Sequence, residues 1–261
     1  ENESPDNFPV RGDHESSLLY SASTISLREA IRRTIYATDP ASAKFALGGV
    51  MFDVDSQLNL AATDGKRISI CSVGVGSVDG DKSVTSIVPA ESLRSVQRVI
   101  ADVDDDCVIE TSGNYVTFRT VGRVFHSRLL EGRFPRWRDV IPSDWRDRPT
   151  TTVLAGDLLS VVNSAKITTS EESCGVRFTF SDGTMSLKSQ ASGVGTAGIE
   201  MPIAWSGPEV SVELNPNLLD DIAKSVDPAT QLTLHVKDDS SPFLIQSQDG
   251  LRAVVMPLKR G

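Results

Sequence analysis

One strand, one amphipathic helix and three more strands follow one another four times along this 261-residue chain, at a period of about 60 residues. This recurrence constrains the fold more than any single motif does. A helix with one apolar stripe must lay it on a sheet, so each unit needs a neighbour to enclose its core. In the first cycle residues 18–23 alternate as a strand, and 26–36 read as a helix. Ser26 and Glu29 form a capping box there, and Leu27, Ile31 and Ile35 share one face. Residues 44–54, 58–62 and 66–75 read as its three strands.

The second cycle has a strand at 83–88, a helix opened by Pro89 and strands at 107–111, 115–119 and 123–129. Residues 131–149, with Pro135, Pro142, Pro149, Trp137 and Trp145, break the rhythm and read as a linker between two pairs of units. The third cycle has a strand at 150–154, a helix over 157–167 and strands at 175–180, 185–190 and 196–202. In the fourth, a strand at 209–214 leads to a helix capped by Asn215 with Pro216 first inside it. Strands at 231–236, 243–247 and 251–258 close the chain. The expected domains are 17–142 and 143–261, after a polar stretch at 1–16.

The turn at Thr63-Asp64-Gly65-Lys66 carries the most information of any single turn. Asp-Gly between strand-like flanks marks a hairpin, because Gly accepts positive φ without steric cost. Its bland reading is a surface turn. Its functional reading places Arg67 and Ile68 beside a pocket.

Composition excludes several classes. No apolar run approaches the roughly 20 residues that span a bilayer, and no signal-peptide pattern opens the chain. Cys71, Cys107 and Cys174 suit neither a disulfide framework nor a zinc site, so a reducing cytoplasm is expected. A net charge of −9 opposes tight nucleic-acid binding by the whole surface while leaving room for a local basic face. The contexts of His14, His126 and His235 and the missing hydrolase, P-loop and HExxH patterns point away from an enzyme, and no motif calls for a metal or cofactor.

Five stretches in order give the chain a family likeness. They are Gly49-Val50-Met51-Phe52, Ala62-Thr63-Asp64-Gly65-Lys66-Arg67-Ile68, Glu131-Gly132-Arg133-Phe134-Pro135, Gly175-Val176-Arg177-Phe178 and Val254-Val255-Met256-Pro257-Leu258. With them the chain resembles the bacterial DNA polymerase III beta subunit, the sliding clamp. The resemblance implies an α+β DNA-clamp fold, with two units per domain, antiparallel sheets outside and two helices on the inner face. Family clamps have three such domains and close as a head-to-tail dimer. Four units correspond to the middle and C-terminal domains, Asp6-Asn7-Phe8-Pro9 to the end of a first domain, so a fragment is expected.

The resemblance further implies a non-catalytic processivity factor in the cytoplasm. It would dock peptides of the replicative polymerase, the clamp loader, other polymerases and repair proteins. The implied peptide pocket comprises Leu47, Thr63, Gly65, Lys66, Arg67, Ile68, Pro135, Val140, Asn215, Leu218, Val254, Met256, Pro257 and Leu258. Arg67 and Lys66 would meet peptide carbonyls or an acidic residue, and Val255 would face the core with its neighbours in the pocket. Asp139 replaces a frequent basic residue and Leu218 a frequent aromatic, which bears on partner preference. Arg28, Arg32, Arg33, Arg94, Arg98, Lys166 and Lys224 would face duplex DNA without sequence specificity, and Thr168 and Thr169 would lie at the ring contact. Two other functions stand beside this one. A stand-alone peptide-docking adaptor fits the four-unit length, and an α/β enzyme lacks a supporting motif.

Overall fold

Three antiparallel sheets and four helices carry the four cycles in a computed structural model that describes residues 18–41, 46–76, 78–80, 84–100, 105–167, 175–191, 195–205 and 207–258. The first half runs β1 (Leu18–Ser23), α1 (Thr24–Ile35), β2 (Gly49–Val54), β3 (Leu58–Thr63), β4 (Arg67–Val73), β5 (Val78–Gly80), β6 (Ser86–Pro89), α2 (Ala90–Val99), β7 (Asp106–Ser112), β8 (Tyr115–Thr120) and β9 (Arg123–Arg128). The second half runs β10 (Thr150–Leu154), α3 (Ala155–Lys166), β11 (Val176–Ser181), β12 (Thr184–Ala191), β13 (Gly195–Pro202), β14 (Val210–Leu214), α4 (Pro216–Lys224), β15 (Gln231–His235), β16 (Phe243–Ser247) and β17 (Leu251–Val255).

Within each half the leading strand of one unit joins the three-stranded meander of the other. β1 pairs with β7 and β6 with β2, while β14 pairs with β11 and β10 with β15. Each unit therefore completes its sister's sheet, as an apolar-striped unit unable to bury its face alone requires.

The two halves join through backbone. β4 pairs with β17, Ile68 opposite Val254 and Arg67 opposite Val255, producing one eight-stranded sheet in the order β10-β15-β16-β17-β4-β3-β2-β6. Alternation along these strands feeds three clusters. On one face Val50, Phe52, Leu60 and Cys71 enter the first half's core, and Ala253, Val255 and Ile245 enter the second's. On the other face Met51, Ala61, Ile68, Ile70, Leu244 and Val254 form one strip continuous across both halves.

The segment read as a linker covers that strip. It makes two short 3₁₀ turns, Trp137–Val140 and Trp145–Asp147. Buried Trp137 donates its indole N–H to Asp53 at 3.2 Å, and Arg138 stacks on its ring while pairing with Asp53 and Asp55. His235 is likewise buried, bonded to the Trp145 carbonyl at 3.0 Å and to Gln246 at 3.1 Å. The expected linker is a packed lid.

The first helix starts two residues before the expected position, and its capping box does not form. Ser23 is the N-cap, Thr24 N–H bonds the Asp105 carbonyl at 2.9 Å, and Glu29 pairs with Arg32 inside the helix. A long-range backbone partner takes the place of the local side-chain cap. At α4 the local signal suffices: Asn215 accepts from Asn217 N–H at 3.0 Å, with Pro216 at the first helical turn. β5 went unpredicted because three residues carry too little alternation to read; it exists by pairing with β1.

Candidate functional site

The Asp64 turn is held by its own side chains. The Asp64 carboxylate accepts from Lys66 and Arg67 N–H at 2.9 and 3.0 Å, and Thr63 Oγ1 accepts from Gly65 N–H and donates to the Arg67 carbonyl. Gly65, at φ 85°, supplies the left-handed residue. The Lys66 carbonyl then accepts from Met256 N–H at 3.0 Å, just where β17 ends. Two residues on, Leu258 N–H bonds the Glu213 carbonyl at 2.8 Å. Pro257 between them has no N–H to satisfy. Met256-Pro257-Leu258 thus bridges a turn of the first half and β14 of the second, leaving the Met256 side chain 44% exposed.

Beside this bridge lies a cavity of about 480 Å³ lined by Arg177, Ser211, Val212, Glu213, Asp239, Ser240, Met256, Pro257 and Leu258. A second cavity, about 440 Å³ around Thr152, Asp157 and Met201, includes none of the residues singled out for a peptide site. We therefore place the candidate site at the first.

The residues expected at the site differ in exposure and in partners. Ile68 and Val254 are each 1% exposed and paired across the junction inside the continuous apolar strip, and neither is among the residues lining this cavity. Val255 faces the second core as expected, but its neighbour Val254 is equally buried on the opposite face. Leu47, Thr63 and Leu218 are also buried. Gly65 and Lys66 are exposed at the turn, whereas Asn215, Pro135 and Val140 are half-buried, Val140 against the strip.

Arg67 departs furthest from its expected role. Its side chain is 8% exposed, and each of its three nitrogens finds a partner within the chain. It reaches Asp64 at 3.1 Å, Asp221 at 2.7 Å, the Tyr36 carbonyl at 2.9 Å and the Leu218 carbonyl at 3.4 Å, and lies over the Tyr36 ring. Tyr36 Oη donates to Ser69 Oγ, which donates to the Arg33 carbonyl. Burial drives the Tyr36 phenol well above its ordinary pKa, so it stays protonated. Where the two cores meet across β4 the seam is polar, and Arg67 is its hub.

The residues expected to face DNA divide similarly. Arg94 and Arg98 are exposed on α2, and Arg28 and Arg32 are half-buried on α1, with Gln97 bonding the Arg28 carbonyl between the helices. Arg33 does not belong with them: it is buried and ion-paired to Asp249 in the β16–β17 turn, a second clamp between the halves. Lys166 and Lys224 both pair with Asp220, tying α3 to α4. Burial would raise the Asp220 pKa, but the two lysines outweigh it and hold it below the ordinary carboxylate range. Thr168 and Thr169 lie outside the described residues.

Arg177, Ser211, Glu213, Asp239 and Ser240 were missed as site residues. The signal available was period two: Ser211 and Glu213 alternate with buried Val212 and Leu214, and Arg177 sits opposite Glu213. Nothing local said that this outward face would meet the end of β17. Among the described residues no group of three or more His, Cys, Asp or Glu is placed to hold a metal, and no helix is long and apolar enough to cross a membrane.

Family models match in tandem. The model for the DNA polymerase III beta subunit, central domain, covers residues 22–136, and that for its C-terminal domain covers 138–259. The beta sliding clamp of Chlamydia muridarum is 24% identical over 256 residues, 97% of this chain and 68% of its own length. That of Escherichia coli K12 is 24% identical over 258 residues, 97% of this chain and 69% of its own length. The crystal structure of the DNA polymerase III subunit beta from Pseudomonas aeruginosa aligns with TM-score 0.89 at 23% identity, covering 98% of this chain and 70% of that one. A sliding clamp from the same organism bound to griselimycin gives the same score at 23% identity, covering 98% and 69%. The overall fold is that of these clamps.

Proposed function

Because the chain belongs to the DNA polymerase III beta-subunit family, we propose that it serves as a sliding clamp of the bacterial replicative polymerase, without catalytic activity of its own. The tandem match to central and C-terminal domains, in order and across nearly the whole chain, carries this reading. Residues 17–142 and 143–261 act as the two domains, working in the cytoplasm on duplex DNA.

Partner proteins, the polymerase and the clamp loader among them, dock a short apolar peptide at Met256-Pro257-Leu258. The support is physical. An exposed Met beside a cavity of about 480 Å³ is an adaptable apolar anchor, and the strands leading to it are rigid, with Ile68 and Val254 packed and Arg67 locked. Each apolar side chain buried there contributes roughly 1.5–3 kcal/mol, so micromolar binding, about 8 kcal/mol, needs several such side chains acting together. Arg28, Arg32, Arg94 and Arg98 supply a basic face on α1 and α2, while the acidic remainder of the surface keeps the hold on DNA loose enough to slide.

The test is titration of a labelled Gln-Leu-x-Leu-Phe-type peptide by fluorescence anisotropy. Met256→Ala should weaken binding about 10-fold or more while leaving the urea midpoint unchanged, since Met256 is largely outside the core. Unchanged peptide affinity in Met256→Ala would refute the docking site. For the DNA face, Arg94→Glu with Arg98→Glu should shorten retention on circular DNA by the assembled ring; unchanged retention would remove α2 from the channel.

A further inference from the structure

We propose that the docking cavity selects peptides carrying a Lys or Arg next to the apolar anchor, with Asp239 as the specificity-determining residue. The inference rests on the docking reading above and adds a charge preference to it.

The cavity has an apolar side, Met256, Pro257 and Leu258, and a charged one. Of its three charged lining residues, Arg177 and Glu213 are register partners on β11 and β14, so their charges offset one another at one wall. Asp239 contributes the remaining charge from the facing loop and is exposed. The loop presents it rigidly. The Asp238 carboxylate accepts from Ser240 N–H at 3.0 Å, Ser241 N–H at 2.6 Å and both serine hydroxyls. Burial pushes the Asp238 pKa up, but these hydrogen bonds outweigh it and hold it at about 2. Asp238 is thus a fixed anion beside Asp239 at neutral pH, adding to the negative potential of that wall. A preorganised anion next to an apolar cavity matches a peptide with one apolar side chain and an adjacent cation, and repels an adjacent carboxylate.

The experiment compares three peptides with identical apolar residues and Lys, Gln or Glu at the flanking position, by anisotropy on the whole protein. Lys259 and Arg260, which follow Leu258 in sequence, stay in the protein tested, so their charge is already included in the preference measured. The Lys peptide should bind about 5-fold more tightly than the Glu peptide at low ionic strength, with Gln between. The gap should close at about 0.5 M salt, where screening lengths fall to a few ångströms. Asp239→Lys should abolish or reverse the order of the Lys and Glu peptides. Equal binding of Lys and Glu peptides, or a preference that persists in Asp239→Lys, overturns the inference but leaves docking intact. Failure of all three peptides to bind overturns docking and the inference with it.

Discussion

Replacing Arg67 with Ala should cost this protein about 3–4 kcal/mol, more than any single ion pair at the seam is worth. Asp221 at 2.7 Å is the shortest partner, but its side chain is 42% exposed and regains water once the guanidinium is gone. Most of the loss arises at the carbonyl acceptors. The half-buried Tyr36 carbonyl at 2.9 Å and the buried, more distant Leu218 carbonyl lose a charged donor in the seam between the cores, and an unsatisfied acceptor costs about 1–3 kcal/mol when buried and less when partly exposed. The stem over the Tyr36 ring adds roughly 1 kcal/mol of lost packing. These contributions overlap, and the sum falls in the range of about 3–5 kcal/mol for removing one partner of a buried pair. Asp221→Ala, by contrast, leaves Arg67 with Asp64 and both carbonyls, so about 1 kcal/mol or less is expected. The assay is urea unfolding followed by tryptophan fluorescence and far-ultraviolet circular dichroism. In Arg67→Ala the two probes should cease to coincide as the halves uncouple, because Trp137 and Trp145 report on the lid and Trp205 on the second core, while the helices report on both cores. A loss below about 1.5 kcal/mol, or equal losses in Arg67→Ala and Asp221→Ala, would refute the view that Arg67 acts through the seam's carbonyls.

Three further outcomes follow from the packing. Burial lowers the His235 pKa more than the Trp145 carbonyl and Gln246 raise it, and Arg148 lowers it too, so the folded ring stays neutral where the unfolded one is protonated. That stability is full above about pH 6.5 and is lost as pH falls through the depressed folded value; unfolding free energies at pH 8 and 5.5 should show the decline, and His235→Gln should flatten it. Trp137→Ala should cost about 3–5 kcal/mol, Trp137→Phe about 1 for the lost bond to Asp53, and half-exposed Arg138→Ala less than 1, a ranking that thermal unfolding of the three variants checks. Gly250 and Gly65 both have positive φ, but a Cβ on Gly250 would lie 2.7 Å from the Ser72 carbonyl oxygen whereas one on Gly65 meets open space. Gly250→Ala should therefore cost well over 2 kcal/mol and Gly65→Ala about 1, and near-equal melting shifts would contradict this reading.

Chain order alone determined the elements and their grouping. Period-two runs became strands, the stripe Leu218, Leu219, Ile222, Ala223 became the buried face of α4, and Asp64-Gly65 became a turn, because each depends on neighbours a few residues away. The motif order also carried the family, since it survives at 24% identity. The tertiary structure alone decided what those elements do to one another. Nothing in residues 67–73 or 251–255 names the other as a partner, for strand edges offer the same backbone groups to any strand; their pairing is fixed by which apolar faces must be covered at once. That pairing buried Ile68 and Val254 in the apolar strip, drew Arg67 and Arg33 out of solvent into a polar seam, and brought Met256 to Asp239. A charged side chain reads the same in sequence whether it meets water, a peptide or its own fold, and only the burial of what surrounds it separates the three.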